Sequence, residues 1–285
     1  MDVIGDPVAG PKQILHDCLP ILRSLRLNDG RSVVIGLREA PIENRKWVVF
    51  LPGSSPQLHK AEEDDIEKLL GRESDHTHFL VINKAGLKIG RGVNKRVFEK
   101  SFQRAQRVDD VVEVLGKVIP RGHEICLVGY SEGAYIAPEI ATQLPSVKAL
   151  VLMAGGTRGW LAEELRRMKP KDLLNAADRL VEIYAQKNPL KKWRGVSYST
   201  WLSYDNNQTL RALEQLDIPV FSIYGDKDEL VDTVSVKEDF KWLKRMKPAL
   251  VQHKNLSGFG HDFNDQWDLV YGYAHKFMRA NFLRT

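Results

Sequence analysis

Apolar positions along the chain follow two rhythms. Short, nearly unbroken runs recur at Ser32 to Leu37, Trp47 to Leu51, Phe79 to Asn83, Glu124 to Val128, Ala149 to Met153, Val220 to Tyr224 and Ala249 to His253. Runs of this length without polar alternation predict strands covered on both faces, as in a mostly parallel sheet. A further first strand is predicted over Leu22 to Leu27, turned back antiparallel on the next through "NDG", Asn28 to Gly30. The longer stretches between them repeat at helical spacing. In "RVDDVVEVLGKVI", Val108, Val111, Val112, Leu115 and Val118 share one face, with charge on the other. Helices are predicted around His59 to Leu70, Arg107 to Val118, Glu132 to Leu144, Val234 to Met246 and Asp265 to Phe282. Strands alternating with amphipathic helices place the chain in the α/β class, with helices on both faces of the sheet.

The alternation breaks once. Between the strand ending near Met153 and the one beginning at Val220, about sixty residues replace the short loops and single helix that a simple repeat needs. "WLAEELRRM" and "KDLLNAADRLVEIYAQK" read as two amphipathic helices, and "YSTWLSYDNNQTLRALEQL" as an aromatic segment leading into a third. The chain is therefore expected to form one domain over 1–285, with a helical cap inserted at 157–216.

Composition narrows the partners. With 43% hydrophobic and 28% charged residues, the chain has enough apolar surface to bury a large core. A net charge of +5, spread along the chain and unaccompanied by any recognition motif, gives no reason to expect nucleic acid. The two cysteines, Cys18 and Cys126, are too few for a disulfide framework and lack metal-ligand spacing, so neither a metal nor another cofactor is expected. "MDVIGDPVAGPKQ" has neither the basic region nor the apolar core of a signal peptide, and no run approaches the length of a membrane span. A cytoplasmic location is the expectation.

The chemistry concentrates in "ICLVGYSEGAYIAPEIA", Ile125 to Ala141. Gly-x-Ser-x-Gly alone is a weak signal, but here a predicted strand runs into it and a helix of small residues leaves it. Those are the demands of an elbow that exposes a nucleophilic serine, Ser131, on a strained turn. Pro138 is expected to disturb the helix that follows. A serine hydroxyl needs a base, and the base needs an acid to orient it. Among eight histidines, His261 stands in a glycine-rich loop, "LSGFGHDF", between the last strand and the last helix, where an imidazole can lean over the sheet edge. For the acid, "IPVFSIYGDKDELVD" ends a buried strand in a turn carrying Asp226, Asp228 and Glu229, all near the carboxyl end of a parallel strand, where sites gather.

"GYSEGA", "YGDKDELV" and "GFGHDF", in that order, resemble the α/β-hydrolase superfamily of serine hydrolases, over the chain from about Leu22 to its end. The resemblance implies a mostly parallel, eight-stranded or nearly eight-stranded sheet flanked by helices, with a helical cap inserted after strand 6. It implies Ser131 as nucleophile, His261 as base and Asp228 as the orienting acid, with Asp226 in reserve. "VVFLPGSSPQL" looks like the loop that supplies one backbone N–H to the oxyanion, from Ser54, or from Ser55 because Pro52-Gly53 departs from the common His-Gly. The second donor is the N–H of Glu132.

The implied activity is hydrolysis of a small-molecule carboxylic ester or thioester through an acyl-enzyme. Two alternatives remain at this point: a serine peptidase or aminopeptidase in which Glu132 anchors a free amine, and a non-catalytic binding protein on the same scaffold. Trp160, Leu161, Tyr198, Trp201 and Tyr204 are the candidate pocket residues. The competing reading of each is packing of the cap onto the main domain. "RRMKPK" and "KNPLKKWRG" are basic clusters suited to an anionic substrate or to a solvated face. "VINKAGLKIG", next to the expected pocket, has no assigned chemistry.

Overall fold

The computed structural model describes residues 21–40, 44–60, 62–90, 92–186, 188–206 and 208–283. Cys18 and the N-terminal segment that bears on location lie outside the described residues. The chain opens with β1 (Ile21–Arg26), β2 (Ser32–Arg38), β3 (Lys46–Leu51), α1 (Glu63–Leu70) and β4 (His78–Ile82). Next come α2 (Lys95–Ser101), α3 (Arg104–Val118), β5 (Glu124–Tyr130), α4 (Glu132–Gln143) and β6 (Val147–Met153). The insertion holds α5 (Trp160–Arg167), α6 (Pro170–Tyr184), the hairpin β7 (Lys192–Trp193) and β8 (Val196–Ser197), α7 (Tyr198–Ser203) and α8 (Gln208–Gln215). The chain then returns through β9 (Val220–Gly225), α9 (Thr233–Met246), β10 (Val251–Leu256) and α10 (Trp267–Met278).

Eight strands form one sheet in the order β1-β2-β4-β3-β5-β6-β9-β10. β1–β2 and β2–β4 pair antiparallel, and every later pair is parallel. Side chains alternate between the two faces, so each central strand feeds two cores. In β5, Ile125 and Leu127 join one cluster with Val111 of α3, Ile136 of α4 and Phe240 of α9. Cys126 and Val128 join the other, with Leu69 of α1 and Phe277 of α10. Both faces being covered is why the central strands read as continuous apolar runs. The result is the α/β-hydrolase arrangement expected from the motifs, with the insertion after β6. Among the described residues no helix is long and apolar enough to cross a membrane.

Several boundaries differ from expectation, and three of the differences have a clear local reason. The last strand covers Val251–Leu256, not Ala249 to His253. Leu250 N–H donates to Lys247 O at 3.1 Å, closing the end of α9, while parallel pairing carries the strand on to Leu256 opposite Gly225. This edge strand leaves His253, Lys254 and Asn255 half-buried, so its pattern is too polar to mark its end. His59 does not begin α1. Its backbone is held by the Asn83 amide, which accepts from His59 N–H at 2.8 Å and donates to His59 O at 3.0 Å. α10 starts only at Trp267, because Phe263, Asn264 and Asp265 have positive φ. Pro138 sits inside α4 as predicted, and the helix continues past it. Proline removes the donor for the Ala134 carbonyl, and in the same turn the Tyr135 carbonyl accepts from Arg104 Nη2 at 2.8 Å and from Thr209 Oγ1 at 2.9 Å.

Candidate active site

Parallel strands align their carboxyl ends, so the loops after β3, β5 and β9 and the loop after β10 meet along one edge. Ser131 is the single residue between β5 and α4, held at φ 51°, ψ −117°. A non-glycine residue pays in strain for such a backbone, and the surrounding contacts hold it there. Its N–H donates to Met153 O at 2.9 Å. The flanking glycines make the turn possible. A Cβ on Gly133 would lie 2.0 Å from Leu51 O, and one on Gly129 would lie 2.5 Å from Gly133 O.

His261 Nε2 stands 2.9 Å from Ser131 Oγ, and Nδ1 stands 2.8 Å from Asp228 Oδ2. An ionised carboxylate only accepts, so Nδ1 carries the proton and Nε2 is left to accept from the serine hydroxyl. The other Asp228 oxygen accepts from the N–H groups of Leu230 at 2.7 Å and Val231 at 3.0 Å, which fixes the buried carboxylate. Asp226 has a different task. Its exposed carboxylate accepts from Gly258 N–H at 2.7 Å and Ser257 Oγ at 3.1 Å, tying the β9 turn to the loop that carries His261. Gly225 allows that approach: a Cβ there would be 2.1 Å from Phe259 O. Glu229 lines the adjacent cavity and offers its backbone carbonyl to Arg167.

Ser54 lines the same cavity as Ser131 and His261, and Gly53 is close enough that a Cβ would meet Ser131 Cβ at 3.0 Å. Ser55 faces a neighbouring groove, where its hydroxyl accepts from Gln57 N–H at 3.2 Å.

The match of a protein-family model spans the loops after β5, β9 and β10, and not the loop after β3. A family described as "BAAT / Acyl-CoA thioester hydrolase C terminal" matches residues 115–262, just over half of the chain, from α3 through the elbow and the acid turn to His261. The chain belongs to this family. It is a hydrolase with the α/β-hydrolase fold. Curated proteins give no match. Among solved structures, Est1E from Butyrivibrio proteoclasticus superposes with a TM-score of 0.64 at 13% identity, covering 92% of this chain and 99% of that one. A puromycin-hydrolysing peptidase of Mycobacterium tuberculosis gives 0.64 at 15% identity, over 96% of this chain and 41% of that one. The thioesterase domain from the curacin biosynthetic pathway gives 0.56 at 18% identity, over 90% and 99%. At these identities the likeness speaks for the fold.

In this acyl-CoA thioester hydrolase-family chain, the Glu132 side chain turns away from the cavity. It is 1% exposed, accepts from Tyr204 OH, and lies 3.5 Å from both Lys84 Nζ and Arg107 Nε. Burial alone would raise its pKa, but Arg107 and Lys84 more than offset that and hold the carboxyl below its ordinary value. Burial pushes Lys84 down to about 8 against the pull of Glu132. An amine anchor at Glu132, the feature that spoke for an aminopeptidase, is therefore absent from the cavity.

That cavity has a volume of about 560 Å³. Of the expected pocket residues, Trp160 and Trp201 line it, and Tyr198 and Tyr204 do not. Tyr204 is buried under Trp160, ring centroids 4.1 Å apart, because its hydroxyl is drawn inward to Glu132. Tyr198 is buried within the insertion, donating to Glu182 Oε2 at 2.6 Å. Leu161 packs in the insertion's own small core beside Ile183 and Trp201.

One lining residue carried no usable sequence signal, and two come from the basic clusters. Glu163 accepts from Tyr135 OH at 2.5 Å, Arg158 N–H at 3.1 Å and Asp232 N–H at 3.4 Å, yet burial raises its pKa to about 7. Arg167 and Arg194, one from each basic cluster, both pair with the carboxylate of Glu164 at the cavity wall. Arg194 is placed there by a tight hairpin turn in which it and Gly195 both take positive φ.

Proposed function

We propose that this chain hydrolyses a carboxylic ester or thioester by way of an acyl-enzyme on Ser131. The observation that carries the reading is the unbroken contact from Ser131 through His261 to Asp228 at the wall of a cavity large enough for a small molecule. Ser131 Oγ attacks the substrate carbonyl carbon while His261 Nε2 takes its proton, and the carbonyl electrons move onto oxygen. The Ser54 and Glu132 backbone N–H groups receive that oxyanion. When the carbonyl re-forms, the bond to the alcohol or thiol breaks and His261 returns the proton to the leaving group. Water then repeats the sequence, with His261 as its base, to release the acid and free Ser131. Asp228 keeps Nδ1 protonated and stabilises the imidazolium. The insertion, residues 157–216, serves as the cap, and its Trp160 and Trp201 supply the apolar wall for an acyl group.

Ser131→Ala tests the reading. Wild-type protein is expected to be labelled by a fluorophosphonate probe and to hydrolyse short p-nitrophenyl esters, and the variant to do neither. Wild-type protein that takes up no probe would refute it. Matched esters and thioesters assayed side by side then rank the leaving groups.

A further inference from the structure

Lys84 follows β4, whose carboxyl end lies beside that of β3 because the two strands pair in parallel. From there its side chain reaches under the loop after β3. The side chain is 3% exposed, and its ammonium donates to the carbonyls of Gly53 and Pro52 and lies 3.5 Å from the Glu132 carboxylate. Two of its protons go to backbone carbonyls, and its charge is paired with the Glu132 carboxylate. A buried ammonium and carboxylate carry a desolvation cost that apolar residues of the same size would avoid, so stability is a weak reason to place the pair here.

Their position suggests another. A trans peptide is planar, with its C=O and N–H pointing in opposite directions. Lys84 holds the Gly53 carbonyl on the side of the buried pair, which aims the Ser54 N–H of the same peptide the other way, toward the cavity that Ser54 shares with Ser131. The carboxylate opposite Lys84 belongs to Glu132, the residue whose own N–H is the second oxyanion donor. Lys84 and Ser54 both lie outside the segment matched by the family model.

We propose that Lys84 is a positioning residue: pinned by the Glu132 carboxylate, it fixes the Gly53–Ser54 peptide and so locks the two halves of the oxyanion hole to each other. This rests on the acyl-enzyme reading above. Glu132 thus contributes twice, through its N–H to the oxyanion and through its side chain to the donor on the facing loop. Arg107 and Tyr204 hold that side chain from behind.

Removing one oxyanion donor outright costs about 10²–10³-fold in kcat. A misaimed one is expected to cost ~30-fold. The test compares wild type, Lys84→Met, Lys84→Arg, Glu132→Gln and Ser131→Ala with a p-nitrophenyl ester and with phenylboronic acid, which forms a tetrahedral adduct on an active serine. Lys84→Met is expected to lose about 30-fold in kcat with KM within about 3-fold, and to lose boronate affinity by a similar factor. Lys84→Arg, which keeps a cationic donor, should recover part of both. Glu132→Gln repeats the measurement should Lys84→Met not fold. Lys84→Met or Glu132→Gln with kcat and boronate affinity within about 3-fold of wild type overturns the proposal, and so does a lowered Tm without loss of boronate affinity. Wild-type protein that neither reacts with fluorophosphonate nor hydrolyses the ester overturns the acyl-enzyme reading and this proposal with it.

Discussion

Glu163→Gln isolates the one cavity-lining carboxyl whose pKa the fold moves close to neutrality. Its folded-state pKa of about 7 lies above the ordinary 4.5 because burial penalises the carboxylate more than the Tyr135, Arg158 and Asp232 donors stabilise it. The folded chain therefore holds more protons than the unfolded chain between these two values, and stability falls as pH rises through that window. A displacement from 4.5 to about 7 at roughly 1.36 kcal/mol per unit amounts to ~3 kcal/mol, fully expressed only above about pH 7. Glutamine imitates the protonated acid in shape and charge. Urea unfolding of both proteins at several pH values between about 5 and 8 should thus show the variant gaining on wild type by about 2–3 kcal/mol across the range, since other titrations cancel in the difference. A constant gap would refute the reasoning and mean that Glu163 ionises as an ordinary carboxyl.

Two further outcomes follow from the site. Asp228→Asn is expected to lower kcat by about 10⁴-fold by removing the acceptor that sets the His261 tautomer, whereas Asp226→Asn, whose carboxylate bonds Ser257 and Gly258, should stay within a few-fold of wild type. Steady-state ester hydrolysis distinguishes them, and the reverse ranking would assign the orienting role to Asp226. Gly133→Ala places a methyl group 2.0 Å from Leu51 O, so β3 and α4 must separate. A loss of more than about 2 kcal/mol in thermal or urea unfolding is expected, and an unchanged Tm would contradict the close approach.

Much of the fold was legible because parallel strands covered on both faces have a simple signature. Val48 to Leu51, Ile125 to Val128 and Ala149 to Met153 have no solvent-facing row to interrupt them. β10 was misplaced by two residues at its start and three at its end because an edge strand has one. The elbow was legible for a steric reason: Gly129 and Gly133 are required by backbone crowding that any neighbouring sequence would impose.

The chain's local chemistry by itself determined the order of the core strands and most helices, α2 and the β7–β8 hairpin aside, together with the elbow at Ser131, the presence of carboxylates after β9 and a histidine after β10. Which of those carboxylates meets His261 was a matter of tertiary structure, since Asp226 and Asp228 are two residues apart and only packing of the Phe259 loop on Gly225 sends one to the loop backbone and the other to the imidazole. The same holds for the pocket. Tyr198, Trp201 and Tyr204 are equivalent as aromatic residues in an insertion, but carboxylate acceptors at Glu182 and Glu132 draw the tyrosine hydroxyls away and leave the tryptophan at the cavity. Glu132, beside the nucleophile in sequence, has its side chain turned from the cavity because Lys84 and Arg107, distant in sequence, place the compensating charges behind it. Backbone patterns are carried by neighbours along the chain, whereas the partner of a buried polar group is chosen by whichever segment the fold brings within hydrogen-bonding distance.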